Sequence, residues 1–273
     1  MTTMRHGLAA WLAGLAVAML LGACSTTVST TSGPVTEEHN RTPNVSDADP
    51  ARRARVRLEL ASAYFGRGQM DVALEQVKLA LAADPNLGTA YNLLGLIHAN
   101  RGDAALAEDA FKRALVLNPR DGDAMQNYGW FLCQQKRYND ANVQFDQALV
   151  VPQNRDVARV LLAQGVCHAF AGRTEDAERV LSRAYELDPS NPSTAVNLAE
   201  VLLRRGEPER ARFYIRRVNS APALVSAQTL WLAARIENKL GNQTGVQELG
   251  AQLRNRFRES RESVAFERGQ FNE

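Results

Sequence analysis

The chain is predicted to be all-α, a right-handed superhelical array of about six helix hairpins. Three observations carry that prediction. Asp84-Pro85-Asn86, Asn118-Pro119-Arg120 and Asp188-Pro189-Ser190 share one local pattern, and Pro85 and Pro119 stand 34 residues apart. Small residues recur in register with those prolines, with a turn glycine in five of the six units: Gly68, Gly102, Gly172, Gly206 and Gly241. Each unit also leaves an apolar face that only a stacked neighbour can cover, which is the logic of a repeat array.

The clearest unit runs from Gly88 to Asp121. It carries Tyr91, Leu94, Gly95, His98, Gly102, Ala107, Phe111, Ala114, Leu115 and Pro119. This spacing matches the tetratricopeptide pattern W-x2-L-G-x2-Y…A-x3-F-x2-A…P. Gly95 lets the first helix approach the second, Gly102 lies in the turn, and Ala107 and Ala114 keep the second helix close to its neighbours. Pro119 ends that helix. The other units run 54–87, 122–155, 158–191, 192–225 and 227–260, the last being degenerate. Gly129 and Gly165 lie 36 residues apart, so two residues are inserted near Pro152. A longer, irregular connection and a change of superhelix direction are expected there.

Hydrophobic residues make up 45% of the chain and charged residues 23%, as in a folded globular protein. The formal net charge is +2 without a basic cluster, so no nucleic-acid partner is expected.

The N-terminus differs from the rest. Gly7–Leu21 is an uncharged apolar run of 15 residues behind Arg5 and His6. It is shorter than the roughly 20 residues a spanning helix needs and suits a signal peptide. It ends in Leu21-Gly22-Ala23-Cys24, which resembles a bacterial lipobox. Residues 1–23 are thus read as a lipoprotein signal peptide and Cys24 as the lipidated residue, with enough acyl chains for stable membrane anchoring. Ser25, in place of a retaining Asp, favours the outer membrane, periplasmic side. Residues 24–52, rich in Ser, Thr, Pro and Asp, are read as the anchor and a flexible tether. The repeat array is placed at 53–260, and 261–273 is expected to be a polar cap or frayed tail.

Cys133 and Cys167 remain after Cys24. Both fall late on neighbouring first helices. In an oxidising compartment they form either a bridge or two buried thiols acting as small hydrophobes.

No catalytic set emerges: H-E-x-x-H, G-x-S-x-G, G-x-x-x-x-G-K and C-x-x-C are all absent. His98 and His168 occupy the usual core Tyr position and are read as packing residues, and His39 lies in the tether. The paired acids Glu37-Glu38 and Asp121/Asp123 are read as solvated surface. No catalytic residue, metal, cofactor or small-molecule substrate is therefore expected.

What remains is protein binding. The first helices of such arrays line a groove, here through Leu58, Phe65, Asn92, Leu96, Asn100, Gln126, Trp130, Leu162, Val166 and Phe170. This surface suits an extended or helical partner segment. The alternative is that Trp130 and Phe170 pack between hairpins. The groove lacks the repeated Lys/Arg-with-Asn pattern of a carboxylate clamp, so tail recognition of that kind is not expected in it.

Asn127-Tyr128-Gly129-Trp130-Phe131-Leu132-Cys133 resembles the N-Y-G-x-F-L-C segment of the type IV pilus biogenesis and stability lipoproteins, the PilF/PilW pilotin family. Gly165-Val166-Cys167 resembles that family's second G-x-C segment. Leu230-Trp231-Leu232, Leu240-Gly241 and Leu253-Arg254-Asn255-Arg256-Phe257 are similar to its C-terminal signature. Arg258 departs from the Pro commonly found there. The resemblance implies an outer-membrane lipoprotein that helps the pilus secretin reach the membrane, assemble or stay assembled, with a secretin subunit as partner. It also implies a Cys133–Cys167 disulfide. A generic envelope adaptor for cell-wall enzymes is the second reading.

Overall fold

The computed structural model describes residues 49–152 and 156–271. The signal-like segment, Cys24 and the tether to residue 48 lie outside them. The described residues form thirteen α-helices and no strand. The helices are α1 (Pro50–Gly66), α2 (Met70–Ala83), α3 (Gly88–Arg101), α4 (Ala104–Leu117), α5 (Gly122–Gln134), α6 (Tyr138–Val150) and α7 (Val157–Phe170). They continue as α8 (Thr174–Leu187), α9 (Pro192–Arg204), α10 (Pro208–Asn219), α11 (Ala227–Lys239), α12 (Gln243–Arg256) and α13 (Arg261–Glu267). The first twelve pair as six hairpins. Each second helix packs on the next first helix, and consecutive first helices touch from α1 through α11.

Helix α1 opens inside the stretch read as tether. Asp49 accepts from the Ala51 amide at 3.1 Å and Pro50 supplies a first-turn residue that needs no amide partner. The Asp-Pro and Asn-Pro signals act as turns between hairpins. The side chains of Asp84, Asn118 and Asp188 accept from the amides of Asn86, Arg120 and Ser190 at 3.0, 3.2 and 3.1 Å.

Close helix approach rests on the small residues. A Cβ on Gly95 would lie 2.7 Å from the Phe111 ring, and one on Gly165 2.6 Å from Leu181. The equivalent Ala61, Ala199 and Ala234 are fully buried. Within five of the hairpins a glycine takes positive φ, as Gly102 does at 84°. The third uses Lys136 at φ 61° instead.

Two connections between hairpins are longer than the others. The one after α6 spans residues 151–156, where two extra residues were expected. The one after α10 contains a 3-10 turn, Pro222–Leu224, that the sequence reading did not anticipate. Helix α10 has 12 residues against 14 in α8, which offsets the longer connection and nearly hides it from the repeat period.

Of the cap and the frayed tail expected after residue 260, residues 261–271 form a cap, and an aromatic one. They form α13 and a turn whose Phe266 and Phe271 lie 6.3 and 5.2 Å from the Trp231 ring. Gly250 leaves room for Phe266, since a Cβ there would meet that ring at 2.1 Å. The last hairpin thus hides its open apolar face under aromatics, as a terminal repeat requires.

Ion pairs link the hairpins. Glu108 of α4 accepts from Lys112 at 2.9 Å, from Arg137 at 2.8 Å and from the Tyr128 hydroxyl at 3.0 Å. The Lys112 and Arg137 bonds hold its carboxyl down at about 2, against an ordinary 4.5. Burial, then Glu108, pushes the Tyr128 hydroxyl up to about 12. A depressed carboxyl contributes stability above its unfolded value and loses it as pH falls through the folded value. The melting temperature is therefore expected to fall between pH 4.5 and about 2, less steeply in Glu108→Gln. Thermal melts of both proteins across that range check this.

Candidate protein-binding groove

Leu58 and Phe65 on α1 are half-buried against the core of the first two hairpins. Leu96 on α3 touches that core and the next one. Beside it Asn92 accepts from Asn127 Nδ2 at 3.1 Å, a polar tie between α3 and α5. Asn100 is exposed near the end of α3. Leu162 and Val166 on α7 are half-buried.

Trp130 on α5 and Phe170 at the end of α7 meet with ring centroids 6.3 Å apart. Trp130 is half-buried against the core, whereas Phe170 is 59% exposed. The structure therefore divides the two rings: one is partly core, the other a free aromatic face. Cys133 and Cys167 join α5 to α7 in a disulfide with Cα atoms 5.8 Å apart. Each cysteine lies three positions from one of these rings, so the bridge holds the helix segments that carry them.

Gln126 does not belong to the groove. It is 8% exposed and its Oε1 has no hydrogen-bond partner among the described residues. Helix α5 packs against both α3 and α7, and Gln126 is buried within this packed layer.

The sequence reading missed the groove's continuation. Val196 and Leu203 on α9 are half-buried in the same first-helix register. Their signal was present, since they repeat the positions used in earlier units. Between them on α9 the row turns charged. Glu200 accepts from Arg204 and Arg235 at 3.1 Å each, and Arg235 is largely buried. The resulting surface is an apolar stripe over five hairpins that ends in an ion-pair network. It can cover apolar side chains of a peptide segment at helical or extended spacing.

His98 is half-buried with Nδ1 3.4 Å from Asp103. His168 is buried, and burial lowers its pKa. Among the described residues no cluster of His, Cys, Asp and Glu has a metal-holding arrangement, and no helix is long and apolar enough to cross a membrane.

Tetratricopeptide-repeat family profiles match residues 58–122, 132–192, 110–141 and 171–224. The type IV pilus assembly protein PilF of Pseudomonas aeruginosa is 26% identical over 219 residues, covering 80% of this chain and 86% of that protein. The crystal structure of PilW, a widely conserved type IV pilus biogenesis factor, is similar with a TM-score of 0.73 and 28% identity. It covers 78% of this chain and 97% of its own. The solved structure of Pseudomonas aeruginosa PilF has a TM-score of 0.69 at 23% identity, covering 81% of this chain and 100% of its own, which supports the fold. The chain belongs to the tetratricopeptide-repeat family and is homologous to the type IV pilus biogenesis proteins PilF and PilW.

Proposed function

We propose that this chain is a lipoprotein of the outer membrane, anchored through Cys24, that assists assembly and stability of the type IV pilus secretin. The apolar stripe holds a segment of the secretin subunit, and no chemical step is involved. The observation that carries this reading is the likeness to PilW over 78% of this chain, together with a stripe whose Phe170 ring stands in solvent. The lipobox ending in Cys24 supports the membrane and its periplasmic face.

Phe170→Ala tests the groove with little risk to the fold. An exposed ring contributes within about 0.5 kcal/mol to stability, while a binding anchor contributes about 2 kcal/mol or more to affinity. The variant is expected to keep its melting temperature and lose most secretin subunit in co-purification from envelopes. Secretin multimers and surface pili should fall towards the level of a deletion strain. Unchanged multimers, outer-membrane location and pili in the deletion strain itself would sink the proposal. Recovery of cell-wall hydrolases or synthases without secretin would favour an envelope adaptor.

A further inference from the structure

On the face formed by the second helices, the α4–α6 and α8–α10 junctions carry a similar ionic device, and the α6–α8 junction between them lacks it. The fifth residue of α4 is Glu108, gripped by Arg137, which immediately precedes α6. The fifth residue of α8 is Glu178, which accepts from Arg205 and Arg210 at 2.8 Å each. At the fifth position of α6 stands Asn142, not an acid. Arg173 immediately precedes α8, as Arg137 precedes α6, and so meets a junction without its carboxylate.

The consequence is visible atom by atom. Arg173 Nη1 reaches only Asn139 Oδ1, at 3.5 Å. Its Nε and Nη2 are buried without a hydrogen-bond partner among the described residues, as is Asn142 Oδ1. Nearby acids are engaged elsewhere: Asp146 with Gln164, Asp176 with Arg179 and Glu186 with Arg183. Nε and Nη2 form the guanidinium edge that grips a carboxylate with two parallel hydrogen bonds. Leaving such a charged edge unpaired in a buried place is unfavourable.

Arg173 and Asn142 line a cleft of about 740 Å³ formed by α6, α7 and α8. His168, 7% exposed, lines it too, with Nδ1 unpartnered. Arg173 also borders an adjoining cleft with Lys136, the residue that takes positive φ where the other hairpins have glycine. A strained backbone position is thus given to a second cation beside the unpaired guanidinium.

We propose that this cleft is a second binding site, on the second-helix face, taking an aspartate or glutamate side chain of a partner protein segment. The Arg173 side chain turns its buried Nε–Nη2 edge towards the cleft, and the incoming carboxylate pairs with it in the role that Glu108 and Glu178 hold at the flanking junctions. The cleft has room for a few side chains, not for a folded domain.

The test is calorimetric titration of the full chain with acetyl-Ala-Glu-Glu-Ala-amide, its Gln-Gln counterpart and glutarate. The Glu peptide is expected to bind saturably, and the Gln peptide and glutarate at least about tenfold more weakly. Arg173→Gln should abolish binding. Asn142→Glu should also abolish it while holding or raising the melting temperature, because the internal carboxylate then fills the junction. No saturable heat with the Glu peptide, or binding that survives Asn142→Glu in a folded protein, would overturn the proposal. Glutarate binding as tightly as the peptide would overturn the assignment to a protein segment.

Discussion

Phe111→Ala is expected to lower stability by about 3–5 kcal/mol, the range for deleting a fully enclosed aromatic ring. Phe111 is 0% exposed. Its ring centroid lies 5.7 Å from those of both Tyr128 and Phe131, and its edge fills the space that Gly95 leaves open. Gly95 belongs to the same hairpin, while Tyr128 and Phe131 belong to the next. One truncation therefore empties the hairpin's interior and its junction together. The space cannot close by moving Gly95, which has no side chain to advance. Because stability in a repeat array is a sum of unit and neighbour terms, the loss should concentrate in the second and third hairpins. Denaturant unfolding gives the size. Hydrogen exchange gives the place: α3 to α6 should lose protection while α10 to α13 keep most of theirs. Uniform loss along the chain would mean that the array unfolds as one unit.

Reduction of the Cys133–Cys167 bond is expected to cost about 3–4 kcal/mol on the chain-entropy account, for a loop closed over a sequence separation of 34. The bridge joins the C-terminal ends of α5 and α7, the two first helices on either side of the insertion after α6 in sequence. Here the connection is longest among those flanking the third and fourth hairpins, so register between first helices has least help from the chain. Denaturation of the oxidised and reduced protein, or of a Cys133→Ala/Cys167→Ala variant, measures the effect. Alanine is the useful replacement, because a serine hydroxyl would be buried without a partner at positions that are 1% and 0% exposed. A change below about 1 kcal/mol would mean that packing around α5 and α7 already sets their register.

Much of the architecture was legible in the residues themselves. Gly95, Gly129 and Gly165 announced close helix crossings because only a missing side chain permits them, and Phe111, Phe145 and Leu181 fill those crossings. Asp84, Asn118 and Asp188 announced the turns through a local hydrogen bond two residues along. The 36-residue gap between Gly129 and Gly165 announced the irregular joint. In the groove, helical register was enough to place Leu58, Phe65, Leu96, Trp130, Leu162, Val166 and Phe170 on first helices.

Other features depend on distances between segments far apart in sequence. Gln126 has a groove register, yet it is buried in the packed array. Trp130 and Phe170 both stand at groove-facing positions, the ninth and thirteenth of their units, yet one is half-buried and the other exposed, because cover depends on the neighbouring helix as well as on spacing. The aromatic seal of α13 on Trp231 arises from residues whose local pattern reads as polar. The unpaired edge of Arg173 is the clearest case. Periodicity assigns an arginine before α8 and an asparagine within α6, as ordinary surface residues. Stacking sets one against the other where flanking junctions place a carboxylate. Local spacing therefore determines helices, turns and faces, since these depend on backbone geometry within a few residues. Burial, pairing and vacancy depend on what the next hairpin brings, and only the packed array supplies that.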